Sequence, residues 1–401
     1  MLVVHKYGGT SVGDLERIEN VANRVIRARE EGKDIVVVVS AMSGETNKLI
    51  GYAEHFSANP AKKEMDMLLS SGERVTAALL SIALQSKGFD AVAMSGRQAG
   101  IVTDNTHTYA RIESIDPQAM QEAIGEGKIV IVAGFQGINK DGSVTTLGRG
   151  GSDLSAVALA GALEADQCEI YSDVDGIYTT DPRIEPRAKK LDTISYDEML
   201  ELSSLGAKVL QNRSVELAKK LNVKLYAKSS FSDNEGTLIT EESENMEEVL
   251  VSGVVLDKNQ ARVTLRGVSD RPGIAAEIFT KLADENINVD MIIQNVGSDG
   301  ATNLGFTVPQ SEIDNAKAVM EGFTSDIDGM DYDENVCKVS VVGVGMKSHS
   351  GVAATAFRVL ADNNINIQMI STSEIKVSMI IDEKYGELAI RTLHEAYALE
   401  K

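Results

Sequence analysis

Three stretches of this chain carry residue types suited to gripping and moving an anionic group. The first is Lys6-Tyr7-Gly8-Gly9-Thr10-Ser11-Val12-Gly13-Asp14. Its glycines bare backbone N–H groups and Lys6 adds a full positive charge, the chemistry of an anion seat at a helix N-terminus. Read alone, it is equally a plain strand-to-helix turn, because short glycine motifs are common. The second, Thr145-Thr146-Leu147-Gly148-Arg149-Gly150-Gly151-Ser152-Asp153, repeats the same logic, with Ser152 or Asp153 placed to cap the next helix. Glycines on both sides leave the Arg149 guanidinium free to fork onto a carboxylate. The third, Ser172-Asp173-Val174-Asp175-Gly176-Ile177-Tyr178-Thr179-Thr180-Asp181-Pro182-Arg183, sets hydroxyls, carboxylates and a cation at a strand end, which suits a nucleotide's ribose and phosphates. It is not a calcium loop, since Tyr178 and Ile184 stand where a glycine and a glutamate would be needed. Lys208 adds a cation at the head of a further predicted helix. Neither glycine stretch matches the dinucleotide or P-loop fingerprints, so two separate loops gripping one nucleotide tail is the reading they support.

These stretches need a scaffold, and the apolar pattern supplies it. Leu2-Val3-Val4 reads as a strand, and Leu15, Ile18, Val21, Ala22, Val25 and Ile26 recur at helical spacing after Asp14, a cap residue. Ile35–Val39 is continuously apolar, as expected of a strand buried on both faces of a parallel sheet. A long helical region covers Ala61–Lys87 with an interruption at Gly72. Further strands fall at Phe89–Met94, Ile129–Ala133 and Gln167–Ser172, a hairpin turning at Asp141-Gly142 spans Gly137–Thr146, and an alanine-rich helix covers Asp153–Leu163. This alternation predicts an α/β sandwich of three layers, with ligands at the carboxyl ends of the strands.

A chain of 401 residues exceeds one ordinary core, so two or three domains are expected. The net charge of −21 argues against nucleic-acid or anionic-membrane binding, and the absence of tryptophan against a base-stacking groove. No apolar run reads as membrane-spanning and the N-terminus is not a signal peptide, which predicts a cytoplasmic protein. Cys168 and Cys337 suggest neither a disulfide framework nor a metal site. The acidic run Glu241–Glu248 reads as a linker closing a first domain of residues 1–240.

Beyond the linker the chain repeats itself. RPGIAAEIFTKLADENINVDMI at 271–292 aligns without gaps on HSGVAATAFRVLADNNINIQMI at 349–370, sharing Gly273/Gly351, Phe279/Phe357, Leu282/Leu360, Asn288/Asn366 and Met291/Met369 among others. Each copy reads as strand, turn, helix, strand, which predicts two small α+β units at 261–335 and 336–401, preceded by a linker and first strand at 241–260, with their sheets covering one another. The Asp270–Gly273 turn opens a helix N-terminus, a seat for a carboxylate-bearing ligand.

Taken together, K-Y-G-G-T-S-V-G at 6–13, V-V-S-A-M-S-G at 38–44, S-G-E-R at 71–74, G-R-G-G-S-D at 148–153, S-D-V-D-G-I-Y-T-T-D-P-R at 172–183 and G-A-K-V-L at 206–210 resemble the monofunctional aspartate kinases over essentially the whole chain. The repeat resembles paired ACT domains, with S-T-S-E at 371–374 fitting the second copy. One departure is Gln211-Asn212-Arg213, where a His-Pro-Arg-like run is expected. The resemblance implies an amino-acid-kinase fold and transfer of the γ-phosphoryl of MgATP to the side-chain carboxylate of L-aspartate, the first step of the lysine, threonine and methionine branch. Lys6 and Lys208 would neutralise the phosphoryl oxygens, and Gly8 and Gly9 would offer backbone donors. Arg149 would take a carboxylate of aspartate beside Gly150, Gly151 and Ser152. Glu73 and Asp153 would take its ammonium or orient the lysines, and Ser40 and Thr46 would complete the pocket. Tyr7, Thr10, Ser11, Ser172, Asp173, Tyr178, Asp181, Pro182 and Arg183 would hold the nucleotide, with Mg2+ riding on phosphate oxygens rather than a protein cage. Lysine or threonine would bind near Asp270, Gly273, Ile274, Ala275, Gln294 and Asn295, with Ser373 and Glu374 in the second copy. A homo-oligomer is implied, and Met246 could start a sensor-only subunit. The rival readings are a related kinase acting on glutamate, acetylglutamate or a nucleoside monophosphate, and an amino-acid-binding regulator whose kinase domain is inactive.

Overall fold

The computed structural model describes every residue except 205–208, 243–249, 270, 297–301 and 348–350. Its described residues form two compact units, one of Met1–Ile177, Lys190–Ser203 and 209–242, the other of Tyr178–Lys189, Ser204 and 250–401. The second unit takes in both of the small units expected at 261–335 and 336–401. The segment Tyr178–Lys189, expected in the first domain, packs with the second.

In the first unit the elements run β1 (Leu2–Tyr7), α1 (Leu15–Glu30), β2 (Asp34–Val39), α2 (Glu45–Phe56), α3 (Lys62–Leu69), α4 (Ser71–Ser86), β3 (Ala91–Met94), β4 (Ile101–Thr103), β5 (Ile112–Ile115), α5 (Gln118–Gly125), β6 (Ile129–Ala133), β7 (Gln136–Asn139), β8 (Val144–Thr146), α6 (Gly151–Ala162), β9 (Gln167–Ser172), β10 (Thr193–Ser195), α7 (Tyr196–Ser204), α8 (Asn212–Leu221), β11 (Leu225–Ser229) and β12 (Thr237–Thr240). Eight strands form one sheet in the order β10-β12-β11-β9-β1-β2-β6-β3, parallel except where β11 meets β12. The central strands are apolar because helices cover both faces. Helices α1 and α4 supply Ile18, Val21, Val25, Leu80 and Leu84 to one face, and α6, buried along nearly its whole length, lies on the other against β1, β2 and β9. A small four-stranded sheet, β5-β4-β7-β8, includes the expected hairpin, whose Asn139 side chain accepts from the amides of Asp141 and Ser143.

Two local expectations change. The break in the long helical region falls at Ser70, and Gly72 lies in the first turn of α4, where a Cβ would stand 2.8 Å from Ala41 Cβ. Close approach, not helix breaking, is the reason for that glycine. The α3–α4 stretch of 25 residues is also long and apolar enough, by length and composition, to cross a membrane, contrary to the expectation of no such run. Half of its apolar window is buried within the chain, and it carries the buried carboxylates Asp66 and Glu73.

The second unit contains β13 (Gly253–Val268), α9 (Ile274–Asp284), β14 (Ile292–Val296), β15 (Thr302–Val308), α10 (Ile313–Met320), β16 (Gly329–Val342), α11 (Val352–Asp362), β17 (Ile367–Thr372), β18 (Lys376–Asp382) and α12 (Gly386–Ala396). Its strands form one antiparallel sheet, β14-β15-β13-β16-β18-β17. The two repeats share their long strands: the first part of β13 pairs with the end of β16, and its second part with β15 and the beginning of β16. Residues 253–257 thus complete the second repeat, which ends in α12. The halves are joined edge to edge, yet Met291 and Ile293 from one end of the sheet share a small core with Met369 and Ile380 from the other. The two sheets expected to cover one another are therefore one continuous sheet.

Candidate active site

The parallel strands β9, β1, β2 and β6 end side by side, and hydrogen bonds continue the sheet by one residue beyond β1, β2 and β6. Gly8 N donates to Tyr171 O at 3.1 Å, Ser40 N to Tyr7 O at 3.1 Å and Gly134 N to Val39 O at 3.0 Å. At this carboxyl edge Lys6, on the α6 side of β1, places Nζ 2.7 Å from Asp153 Oδ1, and both residues are buried. An ammonium held this way points in one direction without free rotamers. A Cβ built on Gly8 would sit 3.4 Å from that Nζ, so the glycine leaves the cation open to its mouth.

Beside it, Gly9 runs past Ala41 O, which a Cβ would approach to 3.1 Å, and Ala41 N donates to Glu73 Oε1 at 3.2 Å. Glu73 is buried and its other carboxylate oxygen has no hydrogen-bond partner among the described residues. Burial raises its pKa to about 7, against the smaller opposing pull of backbone hydrogen bonds from its own amide and from Ala41. Thr46 lies in the first turn of α2, after Gly44 in the left-handed region. On the far side, Gly134 and Ser152 touch: a Cβ at Gly134 would fall 2.9 Å from Ser152 Cβ.

Helix α6 begins differently from the expected form. Its N-cap is Gly150 at φ +73°, with no side-chain cap, and Ser152 and Asp153 lie inside the first turn. That frees Asp153 to pair with Lys6. Arg149 is exposed, immediately before this glycine. Gln211, at the expected departure, packs on Gly150 and donates to Arg149 O at 3.1 Å.

Other expected contacts divide. Ser11 is buried and accepts from Ser230 Oγ, Thr10 is exposed, and Ser172 and Asp173 stand at the end of β9. Tyr7 does not face the mouth: its ring is fully buried and stacks on Tyr171 at 4.8 Å. The Gly8 N–H is committed to the sheet and is not a spare donor. Tyr178, Asp181, Pro182 and Arg183 belong to the second unit, where Arg183 forks onto Asp181 at 2.7 Å. Lys208 lies outside the described residues, as do Asp270 and Met246. In the second unit Gly273 caps α9 at φ +101° and Gly351 caps α11 at φ +110°, each with nothing near a built Cβ, so conformation alone demands these glycines. Ile274 is buried and Ala275 half-buried, whereas Gln294, Asn295, Ser373 and Glu374 are exposed.

Sequence reading missed Gly134 and Phe135, which follow directly on β6. Phe135 holds a left-handed backbone at φ +69°, costly for a bulky side chain, with its amide donating to Ser155 Oγ and its ring against Gly151. The available signal was the strand-end rule applied to Ile129–Ala133.

The profile of the amino acid kinase family matches residues 1–228, and that of the ACT domain matches 263–322 and 339–397. An aspartokinase of Helicobacter pylori is 59% identical over 405 residues, covering 100% of both chains. The chain belongs to the aspartokinase family. As an aspartokinase it is a kinase with ACT domains, and its rival reading as an inactive regulator falls away. Among solved structures, Escherichia coli aspartokinase III in complex with aspartate and ADP, in the R-state, is 26% identical with a TM-score of 0.81, covering 99% of each chain. The same protein with lysine and aspartate, in the T-state, is 27% identical with a TM-score of 0.79, covering 98% of this chain and 99% of that one.

Proposed function

We propose that the chain transfers the γ-phosphoryl of MgATP to the side-chain carboxylate of L-aspartate, as the first step toward lysine, threonine and methionine. The buried Lys6–Asp153 pair at the carboxyl edge of the sheet carries this reading. The acceptor carboxylate is ionised at neutral pH and needs no general base. Lys6 therefore neutralises the phosphoryl oxygens during in-line transfer, and Asp153 holds its ammonium in place. Glu73 receives the substrate ammonium, Arg149 a carboxylate, and Ser40, Thr46, Gly150, Gly151 and Ser152 shape the pocket. The nucleotide lies along Gly9, Thr10, Ser11, Ser172 and Asp173, and Lys208 supplies a second cation for its phosphates. The metal enters with ATP as part of the substrate and supplies charge neutralisation on its phosphates. A protein drawing on ATP and free aspartate suits a cytoplasmic setting.

Lysine, threonine or both bind the repeat near Gly273, Ile274, Ala275, Gln294 and Asn295 and favour a less active state, which requires unequal affinity for the two states. The lysine complex of the Escherichia coli relative supports a lysine effector. Ile292 and Ile370, 51% and 41% exposed on the two edge strands of the sheet, offer a surface for homo-oligomer formation. A coupled ADP-release assay with aspartate, glutamate or no acceptor tests the reaction. Turnover with glutamate but not aspartate refutes it. Titration with lysine and threonine, alone and together, tests regulation, and an active enzyme indifferent to both refutes that part.

A further inference from the structure

The Arg149 loop is held by an element that the mechanism above does not use. Asp66, in α3, is completely buried. A carboxylate without solvent must be met by donors, and among the described residues its donors come from beside that loop. Thr146 Oγ1 donates to Oδ1 at 2.5 Å, Thr108 N donates to the two oxygens at 3.0 and 3.2 Å, and His107 Nδ1 lies 2.6 Å from Oδ2. Thr146 ends β8, three residues before Arg149.

The segment 107–110 is laid along the Thr146–Gly148 backbone. Thr108 takes a left-handed φ of +68°, unusual for a β-branched residue, with its hydroxyl donating to His107 O at 2.6 Å. Ala110 N donates to Thr146 O at 2.9 Å. Tyr109 covers Gly148 so closely that a Cβ there would fall 2.5 Å from its ring. Arg213 then clasps both strands of the strap, donating to Leu147 O at 2.6 Å and Ala110 O at 2.9 Å, with its guanidinium 4.7 Å over the Tyr109 ring.

We propose that Asp66 is a positioning residue for the amino-acid substrate: through Thr146 and the His107–Thr108 strap, it sets the backbone from which Arg149 reaches the substrate carboxylate. The inference rests on the role given to Arg149 above. A buried carboxyl group is costly to keep for packing alone, whereas a fixed loop lets an exposed arginine meet a carboxylate in one geometry.

Steady-state kinetics on the full chain test this, varying aspartate at saturating ATP and the reverse. Asp66→Asn keeps the size of the side chain but replaces one carboxylate oxygen by an amide NH2, which in either orientation stands where an acceptor is needed, facing Thr108 N together with Thr146 or with His107. It is expected to raise the KM for aspartate on the order of tenfold or more while the KM for ATP stays within about twofold. Should that variant fail to fold, Thr146→Val removes a single hydrogen bond and is expected to raise the same KM severalfold. A folded Asp66→Asn, or failing it Thr146→Val, that leaves the aspartate KM unchanged, or raises both KM values alike, overturns the proposal. Arg149→Ala is the control. A large loss of aspartate affinity there, beside unchanged Asp66→Asn kinetics, overturns the positioning role alone. Unchanged aspartate kinetics in Arg149→Ala overturn the reading beneath it.

Discussion

Replacing Glu73 by glutamine should make the protein more stable in alkaline solution and a poorer kinase. The residue is 4% exposed, one carboxylate oxygen accepts a 3.2 Å bond from Ala41 N, and the other has no partner among the described residues. Its pKa is raised from 4.5 to about 7 by desolvation. Below pH 4.5 the group is protonated in folded and unfolded chains alike, and it imposes no penalty. Between 4.5 and 7 the unfolded chain loses its proton first, so stability falls as pH rises. Above 7 the folded protein carries a buried charge that costs about 3 kcal/mol relative to the unfolded chain. Glutamine cannot ionise and escapes that cost. Denaturant unfolding should therefore show Glu73→Gln gaining up to about 3 kcal/mol over the parent at pH 8, and little at pH 5. A substrate ammonium would supply the missing countercharge, so the parent's KM for aspartate should fall as pH rises through 7, and the variant should lose that dependence. An equal gain at both pH values, or a variant with parental aspartate kinetics, refutes the assignment.

Two further outcomes follow from buried contacts. Lys6→Ala should abolish phosphoryl transfer and, by leaving Asp153 buried without its partner, lower stability by about 3–5 kcal/mol; adding Asp153→Asn should restore stability but not activity, and ordinary activity in a folded Lys6→Ala protein rules out its role. In the second unit Thr179 Oγ1 lies 3.0 Å from His394 Nε2 and accepts from Lys189 N at 3.0 Å. Thr179→Val should cost about 1–3 kcal/mol and speed hydrogen exchange at the Lys189 amide, and an unchanged exchange rate refutes that pinning role.

Much of this protein is short-range and was legible along the chain. The apolar run at Ile35–Val39 is typical of a doubly covered parallel strand and forms one, and Asp14 caps α1 as its type and place imply, accepting from Arg17 N at 2.8 Å. The glycine-cation loops marked Lys6 and Arg149, and the repeat marked Gly273 and Gly351, because these signals depend on neighbours within a turn. Tertiary structure alone decided which of those residues meet. Tyr7 is in the motif yet turns its ring into the core, since strand alternation sends it to the face opposite Lys6. Asp66 and Thr146 are 80 residues apart and meet because α3 packs beside β8. The Tyr178–Lys189 segment joined the second unit because Ile184 enters that unit's apolar core and Val254 N donates to Thr179 O, neither of which a local pattern records. Periodicity and turn chemistry are properties of adjacent residues. A buried charge finds its partner only when distant strands and helices have closed around it.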